Sequence, residues 1–161
     1  MSYAIFIKMD SITGESRDAK HKGEIDVLSW NWGVTNHPSE IAGKVGAVSG
    51  KSSSSDLVFS HRIDLASPSL IKACASGHHL KEAIVTVQKA GPEPQEFLVI
   101  KLYEVIVTSV ETGVDTLQNS VTENVAISFS RIEFVYTEQK PDGTLGGSNR
   151  VLWDIISNKV T

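Results

Sequence analysis

Cysteine is almost missing from this chain. Cys74 is the only one in 161 residues, which excludes an intramolecular disulfide, a CxxC redox pair and any cysteine-rich zinc module. Basic charge is also in short supply. Fifteen Lys and Arg against nineteen Asp and Glu leave a formal net charge of -4, so the chain has no bulk attraction for phosphate backbones and nucleic acid is not an expected partner. No apolar run approaches the roughly 20 residues of a membrane helix, and no membrane insertion is expected. Ahead of Lys8 and Asp10 the amino terminus offers only Ala4-Ile5-Phe6-Ile7, too short for the core of a signal peptide, so folding is expected in the cytoplasm. GxSxG, HExxH and GxGxxG are all missing. Gly50-Lys51-Ser52 matches the tail of a phosphate-binding loop, but the first glycine of that motif would fall on Val45 and no apolar helix follows.

What is present describes one globular domain over residues 1–161, with 40% hydrophobic and 21% charged residues. Val and Ile number 31 against 10 Leu, and such stiff β-branched side chains favour pleated surfaces. Alternating stretches predict strands over residues 3–9, 24–35, 57–64, 80–89, 96–110, 121–138 and 151–158. In the 121–138 stretch the apolar phase slips by one residue, which predicts a bulge near Ser130 and Arg131. One helix is expected over residues 68–76, with Ser67 as its N-cap, Pro68 in its first turn and Gly77 as its left-handed terminator. Leu70, Ile71 and Cys74 share one side of it, so Cys74 reads as a packing residue with no redox, catalytic or metal role. Residues 36–56 carry Pro38, Gly43, Gly46, Gly50 and a run of four serines, and read as a long loop. The expected fold is therefore mainly β: an antiparallel barrel with one short flanking helix and one long loop.

Catalytic constellations do not emerge. His78 and His79 are adjacent and would point to opposite sides in extended backbone. His61 falls on the apolar face of its strand and reads as a hydrogen-bonded core histidine. Glu24 and Asp26 share a strand face and could serve acid–base chemistry, but a solvated rim is the simpler reading. In the strand over residues 24–35, Leu28, Trp30, Trp32 and Val34 share a bulky face that seeks the core, with Trp30 and Trp32 as its anchors. Ser29, Asn31 and Gly33 share the opposite, small and polar face. No enzyme activity, cofactor or metal is expected.

Several segments together resemble the Hcp family, the haemolysin-coregulated tube proteins of bacterial type VI secretion systems. They are Ile5-Phe6-Ile7-Lys8, Gly14-Glu15-Ser16, the stretch from His21-Lys22-Gly23-Glu24 through Trp30-Asn31-Trp32-Gly33, then Phe59-Ser60-His61-Arg62-Ile63-Asp64, Ser67-Pro68-Ser69-Leu70, Ala73-Cys74-Ala75-Ser76-Gly77, Thr122-Glu123-Asn124-Val125 and Trp153-Asp154. They run in the family's order over essentially the whole chain. The resemblance implies hexameric rings that stack into a tube, driven by a contractile sheath, tipped by a VgrG-type spike, and holding small effector proteins in the lumen. It implies release to the medium or a target cell without a signal peptide. On that reading Ser29, Asn31 and Gly33 face the lumen, and the loop carrying Gly43, Gly46 and Gly50 reaches the next ring. The alternative is a free secreted adaptor or effector chaperone that builds no tube.

Overall fold

A computed structural model describes residues 2–37 and 52–161. Along the chain run β1 (Tyr3–Met9), β2 (Ile25–Asn31), β3 (Val34–Asn36), β4 (Ser52–Ser54), β5 (Leu57–Arg62), α1 (Ser67–Ser76), β6 (His79–Lys89), β7 (Gln95–Asp115), β8 (Ser120–Ser128), β9 (Arg131–Gln139), β10 (Leu145–Asp154) and β11 (Lys159–Val160). The main sheet has the order β11-β10-β9-β7-β6-β1-β2-β5-β8, and an added β7–β8 pairing closes six of its strands into an antiparallel barrel. Closure leaves these six strands without an open edge, as the alternating sequence requires of a small β domain. No helix among the described residues is long and apolar enough to cross a membrane.

The long strand β7 belongs to two structures at once. Its carboxy-terminal part pairs with β8 in the barrel, and its amino-terminal part pairs with β9 in an extension finished by β10 and β11. Corrections to the sequence expectation cluster here. Residues 121–138 form two strands, β8 and β9, and no bulge separates them: Ile106 pairs with Ser128 and Tyr103 with Arg131, the same spacing on both sides. Both strands instead reverse facing at one level. Leu102 and Ile132 point inward before the reversal and Val105, Val107 and Ile127 after it, while Glu104 adopts a positive φ of 53°. The register shift lies farther along, between Val107 and Ser109. The last long strand starts earlier than the expected residue 151 and ends before 158. After a turn over residues 140–144, β10 runs from Leu145 to Asp154, with Leu145 and the residues from Ser148 on paired with β9.

Between β2 and β5 the predicted single strand also divides. β2 ends at Asn31, and β3 pairs with β4 in a separate two-stranded sheet, so the two ends of the expected long loop are themselves paired. Gly43, Gly46 and Gly50 lie outside the described residues. The helix occupies its expected place and ends on Gly77 at φ 65°, a left-handed turn that suits glycine. Its start differs. Ala66 is the N-cap, and Ser67 uses its hydroxyl to accept the Asp64 N–H at 3.1 Å. Leu70 and Ala73 face the core, Cys74 is half-buried beside them, and Ile71 points outward. Burial of Leu70 alone contributes roughly 1.5–3 kcal/mol, which holds down a helix too short to stand by itself.

Candidate assembly and cargo surface

Alternation along four neighbouring strands builds one continuous wall on the outside of the barrel. Ser29 on β2 stands opposite Ser60 on β5, Ser60 opposite Asn124 on β8, and Asn124 opposite Glu111 on β7. A second row runs Asn31, Val58, Ala126 and Ser109 across the same strands. Every member but Glu111 and Val58 is small and neutral or an amide, and Ser29, Asn31, Asn124 and Glu111 are exposed. Such a surface offers hydrogen-bond donors and acceptors, with Glu111 its one long charged side chain and Val58 its one branched apolar one. Gly33 does not join it. It lies past the end of β2, where its N–H donates to the Ser55 hydroxyl at 2.9 Å and its carbonyl accepts the Ser55 N–H at 3.0 Å.

A register shift between Val27 and Ser29 explains how the wall arises. Ile25 and Val27 point into the barrel. Leu28 takes up the extra residue and is 50% exposed, and Trp30, opposite Phe59, turns inward again. The bulky face proposed from sequence is thus only partly a core face. Trp30 and Trp32 are partly buried and pack on the core, whereas Leu28 and Val34 stand about half exposed. Trp32 donates its indole N–H to the Ser54 hydroxyl at 2.8 Å, tying β2 to the β3–β4 sheet. Its ring also roofs an apolar cavity of about 250 Å³ between Ile132, Phe134, Val151, Trp153 and Val160.

Two histidine–carboxylate clusters went unread in the sequence as pairs. Inside the barrel His61 Nε2 lies 2.9 Å from Glu123 Oε1, with both side chains wholly buried, and Asp64 Oδ1 stands 3.7 Å from the other ring nitrogen. Burial raises the Asp64 carboxyl above its ordinary value, against the opposing pull of the Ala66 N–H and of His61. The His61 and Glu123 side chains are sealed from solvent, so the pair is part of the packed interior of the barrel. Its signal was legible: Leu57, Phe59, His61 and Val121, Glu123, Val125, Ile127 each place one ionisable residue on an apolar stripe. Outside the barrel His21 bridges Glu24 and Glu96. The i to i+3 spacing of His21 and Glu24 hinted at half of that contact, but nothing local pointed to Glu96. Among the described residues no group of three or more His, Cys, Asp or Glu side chains has the arrangement to hold a metal ion.

Comparison with known proteins places this architecture. Residues 6–136 match the family model described as "Type VI secretion system effector, Hcp". The chain is 42% identical over 160 residues to "Protein hcp1" of Pseudomonas aeruginosa, covering 98% of each. Its structure superposes on the crystal structure of Hcp1 from Salmonella typhimurium with a TM-score of 0.81 at 38% identity, covering 100% of both chains. A second solved structure, described as a type six secretion system protein, gives a TM-score of 0.91 at 27% identity, covering 99% of this chain and 100% of that one.

Proposed function

The chain belongs to the Hcp family of type VI secretion effectors, and from that premise we propose that it is a tube subunit whose small polar wall lines the lumen. In this reading six copies close into a ring, and rings stack into a tube that a contractile sheath propels behind a VgrG-type spike. Small effector proteins ride inside and leave the cell with it. A head-to-tail ring leaves no free interface within its plane, which suits one domain used in many copies.

One observation carries the luminal assignment: the two rows running from Ser29 and Asn31 across β5 and β8 to β7. A bore that must pass varied cargo needs low relief and water-compatible groups, and these rows supply both. Light scattering tests the assembly, with an expected mass of six times the 17.5 kDa chain. A monomer at micromolar concentration would instead support the free adaptor. Asn31→Arg tests the wall. It should keep the ring mass, because Asn31 is exposed and the indoles beside it are untouched, yet reduce co-purification and export of lumen-bound effectors. A ring that falls apart on this substitution would place Asn31 in a subunit contact.

A further inference from the structure

Residues 10–24, between β1 and β2, do not make a short turn. They fold back over the outer side of β1 and β6. Phe6 and Gln88 point out of the barrel there, yet they are only 5% and 3% exposed, because the segment covers them. The His21 ring lies flat on Phe6, with centroids 4.4 Å apart and planes 10° from parallel. Gln88 Nε2 donates to Asp18 Oδ2 at 3.3 Å. Backbone bonds tie the feet together: Gly14 N–H to the Gly23 carbonyl at 2.8 Å, Gly23 N–H to Ser16 at 2.9 Å, and Ser16 N–H to Glu24 at 2.9 Å. The approach at Gly14 is so close that a Cβ would stand 2.5 Å from the Glu24 carbonyl oxygen. The feet are therefore firm, and the crown rests on His21.

His21 Nδ1 is 2.8 Å from Glu24 Oε2, and Nε2 is 2.7 Å from Glu96 Oε1 at the start of β7. A neutral imidazole has a single N–H and carboxylates only accept, so two contacts of this length call for the doubly protonated ring. We propose that residues 10–24 are a proton-operated strap, held over Phe6 by the His21 imidazolium between Glu24 and Glu96 and released when that proton leaves. Deprotonation removes one of the two donors, so the ring no longer holds both carboxylates and the clamp opens on one side.

The surrounding charges fit this role. Asp26 stands opposite Phe6 on β2, and Asp18 belongs to the strap itself. Lys8, Lys20 and Lys22 line the neighbouring cleft with Glu24, while β6 contributes the neutral Thr86 and Gln88. Burial opposes the charged ring, but the hydrogen bonds and charges of Glu24 and Glu96 outweigh it and raise the His21 pKa above its ordinary 6.5. Because the folded value is the raised one, the contribution of the clamp is complete below pH 6.5 and fades as pH climbs through that higher value. The strap and the wall carrying Asn31 are separate surfaces, so this device does not depend on the tube reading.

The test is a pH series on the full chain, combining an NMR titration of the His21 ring with hydrogen exchange corrected for intrinsic rates. Both ring nitrogens should be protonated at pH 6, with a midpoint above 6.5. Above that midpoint, strap protection should fall by up to about tenfold per pH unit, the limit for one linked proton, while β6 stays flat. His21→Gln should abolish the slope, and Glu96→Gln should lower the midpoint without unfolding the barrel. A midpoint at or below the ordinary value, strap protection independent of pH, a slope that survives in His21→Gln, or a midpoint unmoved by Glu96→Gln would each overturn the proposal.

Discussion

Among the described residues two histidines are bound to glutamates, and their settings are opposite. His61 and Glu123 face each other directly across β5 and β8, sealed inside the barrel, and one bond of 2.9 Å serves them both. Among the described residues His61 Nδ1 and Glu123 Oε2 find no hydrogen-bond partner. His21 has a carboxylate on each nitrogen but lies under a single layer of chain, with Glu96 about one-third exposed. The interior pair is walled in by neighbours that cannot move without opening the barrel. The outer cluster is better hydrogen-bonded, but it is built into the strap itself and its Glu96 is already partly open to water. Enclosure and bond count are therefore separate properties here. Enclosure governs what it costs to break a cluster, and access governs whether the cluster can respond to solvent.

That contrast can be broken most severely from the inside. Glu123→Ala leaves His61 buried without its partner and should cost about 3–5 kcal/mol in urea unfolding at neutral pH. His61→Leu combined with Glu123→Leu should recover most of that loss, because an apolar pair of similar size leaves no buried polar atom stranded. A double variant as unstable as the single one would show that the pair's hydrogen bond itself supports the barrel.

A smaller effect is expected outside. His21→Ala removes two charge-assisted bonds and the stacking on Phe6, and should cost about 1–3 kcal/mol at pH 6. The deficit relative to the unsubstituted chain should narrow as pH rises, since the raised pKa of His21 makes its stabilisation a low-pH property. Urea midpoints at pH 6 and pH 9 measure it. An equal loss at both would mean that packing on Phe6, and not the proton, holds the strap.

The smallest expected change lies at Cys74, which belongs to neither cluster. It is half-buried on α1 and has no hydrogen-bonding role among the described residues. Cys74→Ala should cost at most about 1–2 kcal/mol through lost packing and, on the proposed tube reading, leave ring assembly and secretion intact. Failed secretion by a folded, assembled variant would give the thiol a further task.

Local chemistry was enough for much of this fold. Alternation gave the register of β1, where Ile7 and Met9 point inward, and Pro68 and Gly77 framed the helix, because these signals act through neighbours in the chain. Leu28 was misplaced for the reason that a bulge is defined by the partner strand: only the pairing of β2 with β5 shows which residue is extra. The reversal at Glu104 has the same origin, since it exists only because β9 reverses with β7. The small polar face of β2 was legible, but not the fact that β5, β8 and β7 extend it into a wall.

The sequence by itself determined a β-rich domain, its inward and outward residues along most strands, the helix that ends at Gly77 and its membership in a family. Those properties follow from short-range sterics and from the need to bury apolar side chains. Tertiary structure alone decided that Glu96 meets His21 at a separation of 75 positions, that Glu123 meets His61 at a separation of 62, and that Gly33 leaves the wall to bond with Ser55 beside the β3–β4 sheet. Polar contacts of that kind carry no period. Their partners are brought together only when the strands close into a barrel, and burial then makes their pairing obligatory.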